Sequence, residues 1–420
     1  MNHSASGSAD GHVTVIGAGI VGTCSALYLQ REGFDVTLVD RRGPGEGASL
    51  GNAGSLGVAS IPPGSMPGLI WKLPGMMTNP LTPLAVDRLY MPRAMPWFLR
   101  FLWNSRRARV ERIADARSAL LSRLFEAYEP LLADAGARDL VARQGKLHVY
   151  ENADGLTRSA YALEMRRRRG VKVQELTGDE AHEMEPLLSP IIKCAAYFPD
   201  VQTVLNPLRL VQVFAEHFVR QGGTLLRETV TGFEIGADGP RRMMTDAGGH
   251  DVDKVVIAAG AWSKPLAAQM GLNPPLEAER GYHTMITDPG IKIGTSITSN
   301  ERYVVLTQME HGLRVSGIAQ FSGLHSEPDY SLADRVLENA RVIVPSLKGE
   351  AASRWAGPRP SLPDSLPIIG PSPRYPKVYF AFGHDHVGLA TGAITGKLIG
   401  ELLAGRPPSV DLTPYRADRF

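Results

Sequence analysis

The sequence is poor in cysteine and has no long apolar run. Cys24 and Cys194 are the two cysteines among 420 residues, and they lie far apart in no metal-ligand spacing. This excludes a disulfide framework and an iron–sulfur cluster, and it suits a reducing compartment. No stretch of about 18 consecutive apolar residues occurs, so the sequence predicts no membrane-spanning helix. Residues 1–11 are polar, without a basic start and an apolar core, and are expected to form a flexible leader rather than a signal peptide.

An excess of charge of one sign is also missing. The 45 Lys and Arg residues nearly balance the 43 Asp and Glu residues, for a formal net charge of +2. A protein that binds nucleic acid through a broad basic surface is therefore not expected. The basic run 166–169 is interpreted as the solvated face of a helix. His384-x-His386 has no third ligand nearby in the sequence, so no metal site is predicted.

What the sequence does have is a glycine-rich turn after a buried strand. The apolar run His12–Ile16 is typical of a central parallel strand, and it continues into Gly17, Gly19 and Gly22 with the spacing G-x-G-x-x-G. Gly17 permits the tight turn, Gly19 lets a pyrophosphate approach the backbone, and Gly22 lets helix and strand pack closely. The amides that open the following helix would then face the phosphates.

The residues after this turn complete a βαβ unit. Thr23–Glu32 has a helical pattern that ends at Gly33, and Phe34–Val39 is a second buried strand followed by Asp40. An acidic residue at this place is expected to bind a ribose hydroxyl. The predicted dinucleotide-binding residues are Gly17, Ala18, Gly19, Ile20, Val21, Gly22 and Asp40.

Two later stretches extend the predicted site. Residues 43–57 are rich in Gly, Ser and Ala, and the compact sequence Ser49–Gly54 at their centre could lie against a flat ligand. The alternative is a flexible linker. The apolar strand Val252–Ile257 runs into Ala258–Ser263, which is typical of a second crossover on the nucleotide side. By contrast, Trp355–Pro371 is rich in proline and has no periodicity.

The motifs together resemble those of the FAD-dependent amine oxidoreductases of the D-amino-acid oxidase and glycine oxidase superfamily, and more narrowly those of bacterial D-amino-acid dehydrogenases, including enzymes of D-proline and hydroxyproline type. They are Val13–Gly22, Asp40–Arg42, Ser49–Gly54, Val256–Trp262, Arg280–Tyr282, Gly357–Pro360, Pro363–Gly370 and Gly383–Leu389. The resemblance runs from Val13 to Phe420. Two places depart from it: Leu50-Gly51 replaces a Thr-Phe or Ser-Phe pair common in these dehydrogenases, and Ala319-Gln320 stands where many carry a glutamate.

The resemblance implies an α/β fold with two interleaved parts. A doubly wound, Rossmann-like FAD-binding domain would comprise residues 1–88, 206–272 and 354–420. Residues 89–205 and 273–353 would form an α+β substrate domain built on an antiparallel sheet that covers the flavin.

The resemblance also implies roles for individual residues. Arg359, held between Pro358 and Pro360, matches the arginine that binds the substrate carboxylate, and a planar guanidinium suits both oxygens of that group. Tyr303 is expected to bond to the same carboxylate, and the side chain of His384 to face the substrate. The alternatives are an ion pair for Arg359 and an ordinary strand aromatic for Tyr303. Further FAD-binding residues are expected to be Arg41, Arg42, Ser49, Asn52, Ala53, Gly54, Val230, Ala259, Gly260, Trp262, Gly383, His384, Val387, Gly388 and Leu389.

The function implied is oxidation of the Cα–N bond of a small D-amino or imino acid, with FAD as hydride acceptor. Three alternatives stay open: a sarcosine or glycine type of oxidase, an FAD-binding subunit of an electron-transfer assembly, and an NAD-dependent dehydrogenase. A cytoplasmic protein is expected. The aromatic and basic stretch Met95–Trp103 suggests peripheral attachment to the inner face of the cytoplasmic membrane, with a quinone as acceptor. The alternative is that these aromatics pack as core.

Overall fold

A computed structural model describes residues 11–69 and 84–420 of the chain. Within them the helices are α1 (Ile20–Arg31), α2 (Met91–Asn104), α3 (Arg107–Leu121), α4 (Leu124–Ala135), α5 (Gly155–Arg167), α6 (Gly178–Met184), α7 (Pro207–Arg220), α8 (Ser263–Gln269), α9 (Ser331–Ile343) and α10 (Gly388–Leu403). The strands are β1 (His12–Ile16), β2 (Asp35–Asp40), β3 (Ser55–Leu56), β4 (Leu84–Val86), β5 (Val141–Ala142), β6 (Lys146–Tyr150), β7 (Gln174–Thr177), β8 (Cys194–Phe198), β9 (Gln202–Val204), β10 (Thr224–Arg227), β11 (Val230–Gly236), β12 (Gly239–Thr245), β13 (Gly249–Asp251), β14 (Lys254–Ile257), β15 (Glu277–Ile286), β16 (Ser296–Ser299), β17 (Val304–Met309), β18 (Gly312–Phe321), β19 (Ser353–Ser361), β20 (Ile368–Pro371) and β21 (Val378–Phe382).

A six-stranded sheet forms the nucleotide side of the molecule. Its order is β10-β2-β1-β14-β21-β20, with parallel pairing throughout except for the antiparallel β20. Helices α1 and α10 pack together very closely, since a Cβ added at Gly396 would lie 2.6 Å from the backbone of Cys24. Cys24 is fully buried there, and burial strongly raises the pKa of its thiol, so this cysteine is an inert part of the core.

A nine-stranded sheet forms the second layer. Eight strands follow the order β19-β15-β18-β17-β16-β6-β8-β7, and β4 pairs with β18. Most pairs are antiparallel, whereas β16 pairs parallel to β6 and β4 parallel to β18. Helix α9 packs against this sheet, burying Val336, Ala340 and Ile343 in an apolar cluster with strand residues. The predicted fold, a Rossmann-like domain with a second domain on a largely antiparallel sheet, is confirmed.

One strand was missed in the sequence. Residues 353–361 lie in the stretch without periodicity, yet they form β19, paired to β15 along its whole length. Pro358 and Pro360 cannot donate backbone hydrogen bonds, and proline is tolerated in sheets mainly on edge strands. Strand β19 is such an edge, with β15 as its neighbour on one side. The nine-stranded sheet thus extends past the boundary predicted at residue 354.

The long helical pattern from Met95 towards Ala135 is also divided. It forms α2, α3 and α4, with breaks at Ser105–Arg106 and Ser122–Arg123. Helix α4 ends at Gly136, which adopts the left-handed conformation at φ 66° that favours glycine. The predicted domain limits stay a prediction. Residues 1–10, most of the leader predicted at 1–11, and residues 70–83 lie outside the described residues.

Candidate active site

A cavity of about 460 Å³ lies between the two sheets. Ile16, Val39 and Ala258, at or just after the carboxyl ends of β1, β2 and β14, form one wall. Val305 and Ser316, on neighbouring strands of the nine-stranded sheet, form another. Ligands of open α/β sheets bind at the carboxyl ends of the strands. This cavity is therefore the expected ligand-binding site.

The three glycines of the first turn have different structural roles. Gly17 adopts φ 110°, and a Cβ there would lie 2.4 Å from the carbonyl oxygen of Ala258. A Cβ at Gly22 would lie 1.8 Å from the carbonyl oxygen of Gly17. At Gly19 the added atom would meet Ser49 Oγ at 3.4 Å and no other atom of the described residues within 4 Å. Gly17 and Gly22 are therefore required by the protein's own backbone, whereas Gly19 leaves an open surface on the cavity.

The open surface at Gly19 is continued by the start of α1. The Ile20 amide donates to Ser49 Oγ at 3.0 Å, which ties the loop to the helix N-terminus. The first amides of a helix have no partner inside it and carry partial positive charge. Asp40 accepts from the Ala18 amide at 2.7 Å and from the Arg42 amide at 2.9 Å. The arrangement suits a diphosphate beside a ribose.

One end of the cavity is aromatic and cationic. The Arg41 guanidinium lies 4.1 Å from the centroid of the Trp262 ring. Val230, Ala259 and Gly260 line the same region. A flat, apolar surface of this kind can receive the base of a nucleotide.

The loop 50–54 is fixed against the nine-stranded sheet. Arg314 Nη1 donates to the carbonyl oxygens of Leu50, at 2.9 Å, and of Asn52, at 2.6 Å. Thr307 Oγ1 donates to the carbonyl oxygen of Ala53 at 3.1 Å. Within the loop, Asn52 Oδ1 accepts from the Gly54 amide at 2.9 Å. These bonds show an ordered cavity wall rather than the flexible linker that was the alternative.

Arg359 lies on β19 at the other side of the cavity. Its Nη1 donates to Glu279 Oε1 at 2.9 Å, and the second oxygen of Glu279 accepts from Ser361 Oγ at 2.9 Å. The Arg359 side chain keeps 27% of its surface exposed. Its guanidinium lies over Gly281, where a Cβ would be 2.2 Å from Nη2. The ion pair orients Arg359 and leaves donors for a further anion.

The network continues from Ser361 into the turn before α10. Ser361 Oγ also lies 3.0 Å from Asp385 Oδ1, so its single proton is shared between the carboxylates of Glu279 and Asp385. Asp385 in turn pairs with His386 Nδ1 at 3.1 Å. The other nitrogen of His386 lies 3.3 Å from Arg117 Nη2. Burial by itself raises the pKa of Asp385, but His386, Arg117 and Ser361 lower it well below its usual range. Asp385 is therefore an anion that links β19 to the turn.

The model of the DAO family, FAD-dependent oxidoreductases, matches residues 12–402. The chain belongs to this family. It is 36% identical over 418 residues to a D-amino-acid oxidase of Bradyrhizobium diazoefficiens, covering 97% of this chain and 99% of that protein. It is 29% identical over 429 residues to a D-amino acid dehydrogenase 2 of Ralstonia nicotianae, covering 97% and 100%. The predicted family and the predicted FAD cofactor are confirmed, and the chain is an oxidoreductase.

Solved structures of this FAD-dependent family have the same fold. Glycine oxidase of Geobacillus kaustophilus superposes with a TM-score of 0.76 at 23% identity, covering 97% of this chain and 98% of that one. L-proline dehydrogenase of P. horikoshii gives 0.76 at 22%, covering 98% of both chains.

The cavity of this FAD-dependent oxidoreductase fits its cofactor. The backbone at Gly19 is open, the start of α1 faces it, and Ser316 Oγ is a buried hydroxyl without a hydrogen-bond partner in the described part of the chain. A phosphate of FAD would fit the open backbone at Gly19. The ring oxygens or nitrogens of FAD would supply hydrogen-bond partners for buried polar groups such as the Ser316 hydroxyl. Among the described residues no group of three potential metal ligands occurs.

Most of the predicted site residues line this one cavity. They are Gly17, Gly19, Ile20, Val21, Asp40, Arg41, Arg42, Ser49, Asn52, Ala53, Val230, Ala259, Gly260, Trp262, Arg359, His384, Val387, Gly388 and Leu389. Ala18, Gly22, Gly54 and Gly383 lie just behind the wall, where they hold the turns: Gly54 and Gly383 have φ of 77° and 84°. The functional roles of all these residues stay predictions.

Two predicted catalytic residues, His384 and Tyr303, differ in their exposure. His384 is 2% exposed, and its Nε2 lies 2.9 Å from Thr395 Oγ1 on α10. Burial lowers the pKa of His384 to about 3, so its ring is neutral at pH 7 and engaged by the helix. Tyr303 is 39% exposed and is not among the residues that line the cavity.

Sequence reasoning missed several residues of the cavity. Lys146, Val305, Ser316 and Trp355 come from strands of the nine-stranded sheet, and Asp385 from the turn before α10. The turn was recognised in the sequence, and Trp355 stands four positions before Arg359, so on a strand the two would share a face. Because residues 353–361 were not recognised as a strand, the sequence analysis did not predict that Trp355 and Arg359 share a face.

Lys146 on β6 lines the cavity. In the described residues its ammonium makes no salt bridge or hydrogen bond. Burial, and to a lesser extent Arg166, lowers the pKa of Lys146 from 10.5 to about 8. The folded protein thus binds fewer protons here than the unfolded chain between pH 8 and 10.5, and folding stability rises with pH across that range.

We therefore expect Lys146→Met to stabilise the apoprotein at pH 7 by about 1–3 kcal/mol, since one pKa unit corresponds to about 1.4 kcal/mol. The gain should shrink as the pH rises from 8 to 10.5, because wild-type Lys146 then becomes neutral. Urea unfolding of both proteins at several pH values measures this. A difference that does not change with pH would show that the lysine is charged and solvated in the folded protein.

Proposed function

We propose that this protein oxidises the Cα–N bond of a small D-amino or imino acid. Bound FAD supplies the two-electron acceptor for the hydride on Cα. The nitrogen lone pair forms the C=N bond as the hydride leaves. The imino product is hydrolysed to a 2-oxo acid and ammonia, or persists as a cyclic imine if the substrate is proline-like.

The observation that carries the proposal is the position of Arg359 in the same cavity as the FAD-binding turn. A guanidinium can bind both oxygens of a carboxylate, and Glu279 holds this one in place from the neighbouring strand. An amino acid bound there would present its Cα and nitrogen to the interior of the cavity. We propose Arg359 as the carboxylate-binding residue and assign His384 a positioning role through Thr395.

No protein base is needed in this proposal. The cavity is lined largely by backbone and apolar side chains, and such surroundings destabilise an ammonium ion. The substrate amine can lose its proton to water before the pocket closes around it. His384, with a neutral and hydrogen-bonded ring, is not required for that step.

The names of the relatives support the D-enantiomer. The proteins of Bradyrhizobium diazoefficiens, Ralstonia nicotianae and Paramagnetospirillum magneticum are named for D-amino acids. Their names imply different electron acceptors, because the first protein is named an oxidase and the other two are named dehydrogenases. We propose a quinone or another carrier as acceptor here. Oxygen is the second candidate, favoured by the oxidase name of the relative at 36% identity.

Anaerobic bleaching of the flavin tests the proposal. The purified protein is mixed without oxygen with D- and L-amino acids, prolines and N-methyl amino acids, and the loss of flavin absorbance is followed. We expect bleaching by small D-amino or imino acids and none by their L-enantiomers. Reoxidation by a soluble quinone is then compared with reoxidation by air. If none of these compounds reduces the flavin, the proposal is wrong; fast peroxide formation would identify an oxidase.

A patch on α2 bears on the location of the protein. The structure divides the aromatic stretch: Trp97 is buried and stacks on Phe101, while Met95, Leu99 and Trp103 are 42%, 60% and 50% exposed. The three exposed residues are four positions apart and share one helix face. Arg106 lies 3.3 Å from the centroid of the Trp103 ring. Core packing thus accounts for part of the stretch only.

We propose that this α2 patch binds the anionic surface of the inner face of the cytoplasmic membrane. No helix in residues 11–69 or 84–420 has the length and apolar character to cross a bilayer, so attachment would be peripheral. Exposed apolar side chains beside arginines suit the headgroup region of anionic lipid. Such attachment would bring the enzyme to a lipid-soluble quinone.

Co-sedimentation with liposomes measures this attachment. Wild type should pellet with vesicles that contain anionic lipid, and the double variant Leu99→Glu/Trp103→Glu should bind at least tenfold more weakly. Val219→Glu, a change at a 46% exposed residue on α7, is the matched control and should bind like wild type. Wild type that stays in the supernatant with anionic vesicles would exclude the patch as a membrane contact.

A further inference from the structure

The Trp355 indole lies flat against backbone in the cavity. A Cβ added at Gly51 would lie 1.9 Å from its six-membered ring, and one at Gly357 would lie 2.2 Å from the same ring. His283 stacks on the indole with a centroid distance of 5.2 Å and an angle of 15°. His283 Nδ1 is 3.4 Å from the carbonyl oxygen of Gly51. Two glycines and a histidine thus fix the position of this ring.

The histidine of this stack is a neutral partner. His283 is 3% exposed, and burial, with the nearby Arg314, lowers its pKa to about 3. An uncharged imidazole cannot form an ion pair with a carboxylate. The stack of Trp355 and His283 is therefore an apolar wall, not an anion site.

The Trp355 indole and the Arg359 guanidinium lie over two residues that are paired across adjacent strands. Gly281 and Gly357 are directly opposite each other on β15 and β19. The guanidinium covers Gly281, and the indole covers Gly357. Paired positions on adjacent strands are about 5 Å apart. A carboxylate held by Arg359 would place the rest of an amino acid within reach of the indole edge.

We propose that Trp355 is a specificity-determining residue that closes the side-chain end of the substrate pocket and restricts it to small side chains. The proposal rests on the function proposed above and adds the wall that sets the size limit. The space beside Gly51 that a small residue at position 355 would leave open is filled by the indole. Gly51 is also where the chain departs from many dehydrogenases of this resemblance, so the glycine and the tryptophan form one packing unit.

Replacing the indole tests the size limit. Trp355→Ala and Trp355→Phe are compared with wild type on a series of amino acids of increasing side-chain size, in the enantiomer that bleaches the flavin. We expect the ratio of kcat/KM for a large side chain to that for alanine to rise at least tenfold in Trp355→Ala, and less in Trp355→Phe. Val219→Ala, at an exposed residue on α7, is the control and should keep the wild-type ratio with a soluble acceptor.

A binding measurement separates recognition from turnover. Flavin absorbance changes are titrated with acetate and with benzoate, two carboxylates of different size. Trp355→Ala should bind benzoate at least tenfold more tightly relative to acetate than wild type does. If wild-type flavin is bleached by amino acids but neither ratio changes in the two variants, the proposal for Trp355 is wrong while the proposed function stands. If no amino acid bleaches the flavin, it is the proposed function that fails.

Gly51→Ala tests the packing unit without removing the indole. The new Cβ would collide with the ring, so Trp355 should move and the size preference should change. The same substitution in a Trp355→Phe background should have a smaller effect, because the phenyl ring is shorter. Equal effects of Gly51→Ala in both backgrounds would show that the glycine and the indole act independently, which would overturn this part of the proposal.

Discussion

The Gly19→Val variant is expected to purify as a folded protein without FAD. Among the described residues, Ser49 Oγ at 3.4 Å is the only atom within 4 Å of a Cβ added at Gly19, so the valine side chain would occupy the place of the diphosphate. It would hold the phosphates away from the amides at the start of α1. We expect flavin content below a tenth of wild type, measured from absorbance after purification, with an unchanged far-UV circular dichroism spectrum.

Gly22→Ala is the contrasting variant. Its Cβ would lie 1.8 Å from the carbonyl oxygen of Gly17. The substitution would therefore disrupt the packing of β1 against α1 as well as the ligand surface. We expect it to lower thermal stability and soluble yield. Full flavin occupancy in Gly19→Val would show that this turn does not hold the phosphates.

Arg359→Ala should lower kcat/KM at least tenfold with the substrate that bleaches the flavin most readily, while FAD content stays that of wild type. Truncating one member of a buried charge pair commonly costs ~2–5 kcal/mol. The loss here has two parts: the substrate carboxylate loses its guanidinium, and Glu279 is left without its partner. Most of the effect should appear in the binding of carboxylate ligands.

Arg354→Ala is the matched control for this experiment. Arg354 lies on the same strand, and its ion pair with Asp334 has side chains that are 45% and 48% exposed. Such surface pairs contribute about 0–1 kcal/mol, and we expect wild-type kinetics. A rate for Arg359→Ala equal to that of the control would remove Arg359 from the substrate site.

The nucleotide half of the protein was predictable because its signals are local. Strand, turn, helix and strand follow each other within residues 12–40, and the spacing of the three glycines is itself a local pattern. Later apolar strands, such as β14 and β21, join the same sheet and have the continuous apolar character that burial on both faces requires. The strand predicted at Val252–Ile257 corresponds to β14 for that reason.

The substrate half was predicted less well because its determinants are not periodic. Strand β19 carries two prolines, and its residues Trp355 and Arg359 line the cavity, so neither alternation nor propensity marks it as a strand. Its place at the sheet edge, which makes proline tolerable, is a property of the strand order. The expectation that Tyr303 faces the substrate rests on resemblance, and the structure leaves that side chain partly exposed.

By itself the sequence determined the family and the cofactor, and it predicted the turn Gly17–Gly22 as the phosphate site and Arg359 as the residue that binds a carboxylate. Tertiary structure alone decided what each of those groups is paired with. Arg359 meets Glu279 eighty positions away, Trp355 lies on Gly51, and Lys146 enters the cavity with no counter-charge in the described chain. A local pattern reports the conformation of a segment, whereas burial and charge pairing depend on which distant segment packs against it. The energies that set specificity come from those distant contacts.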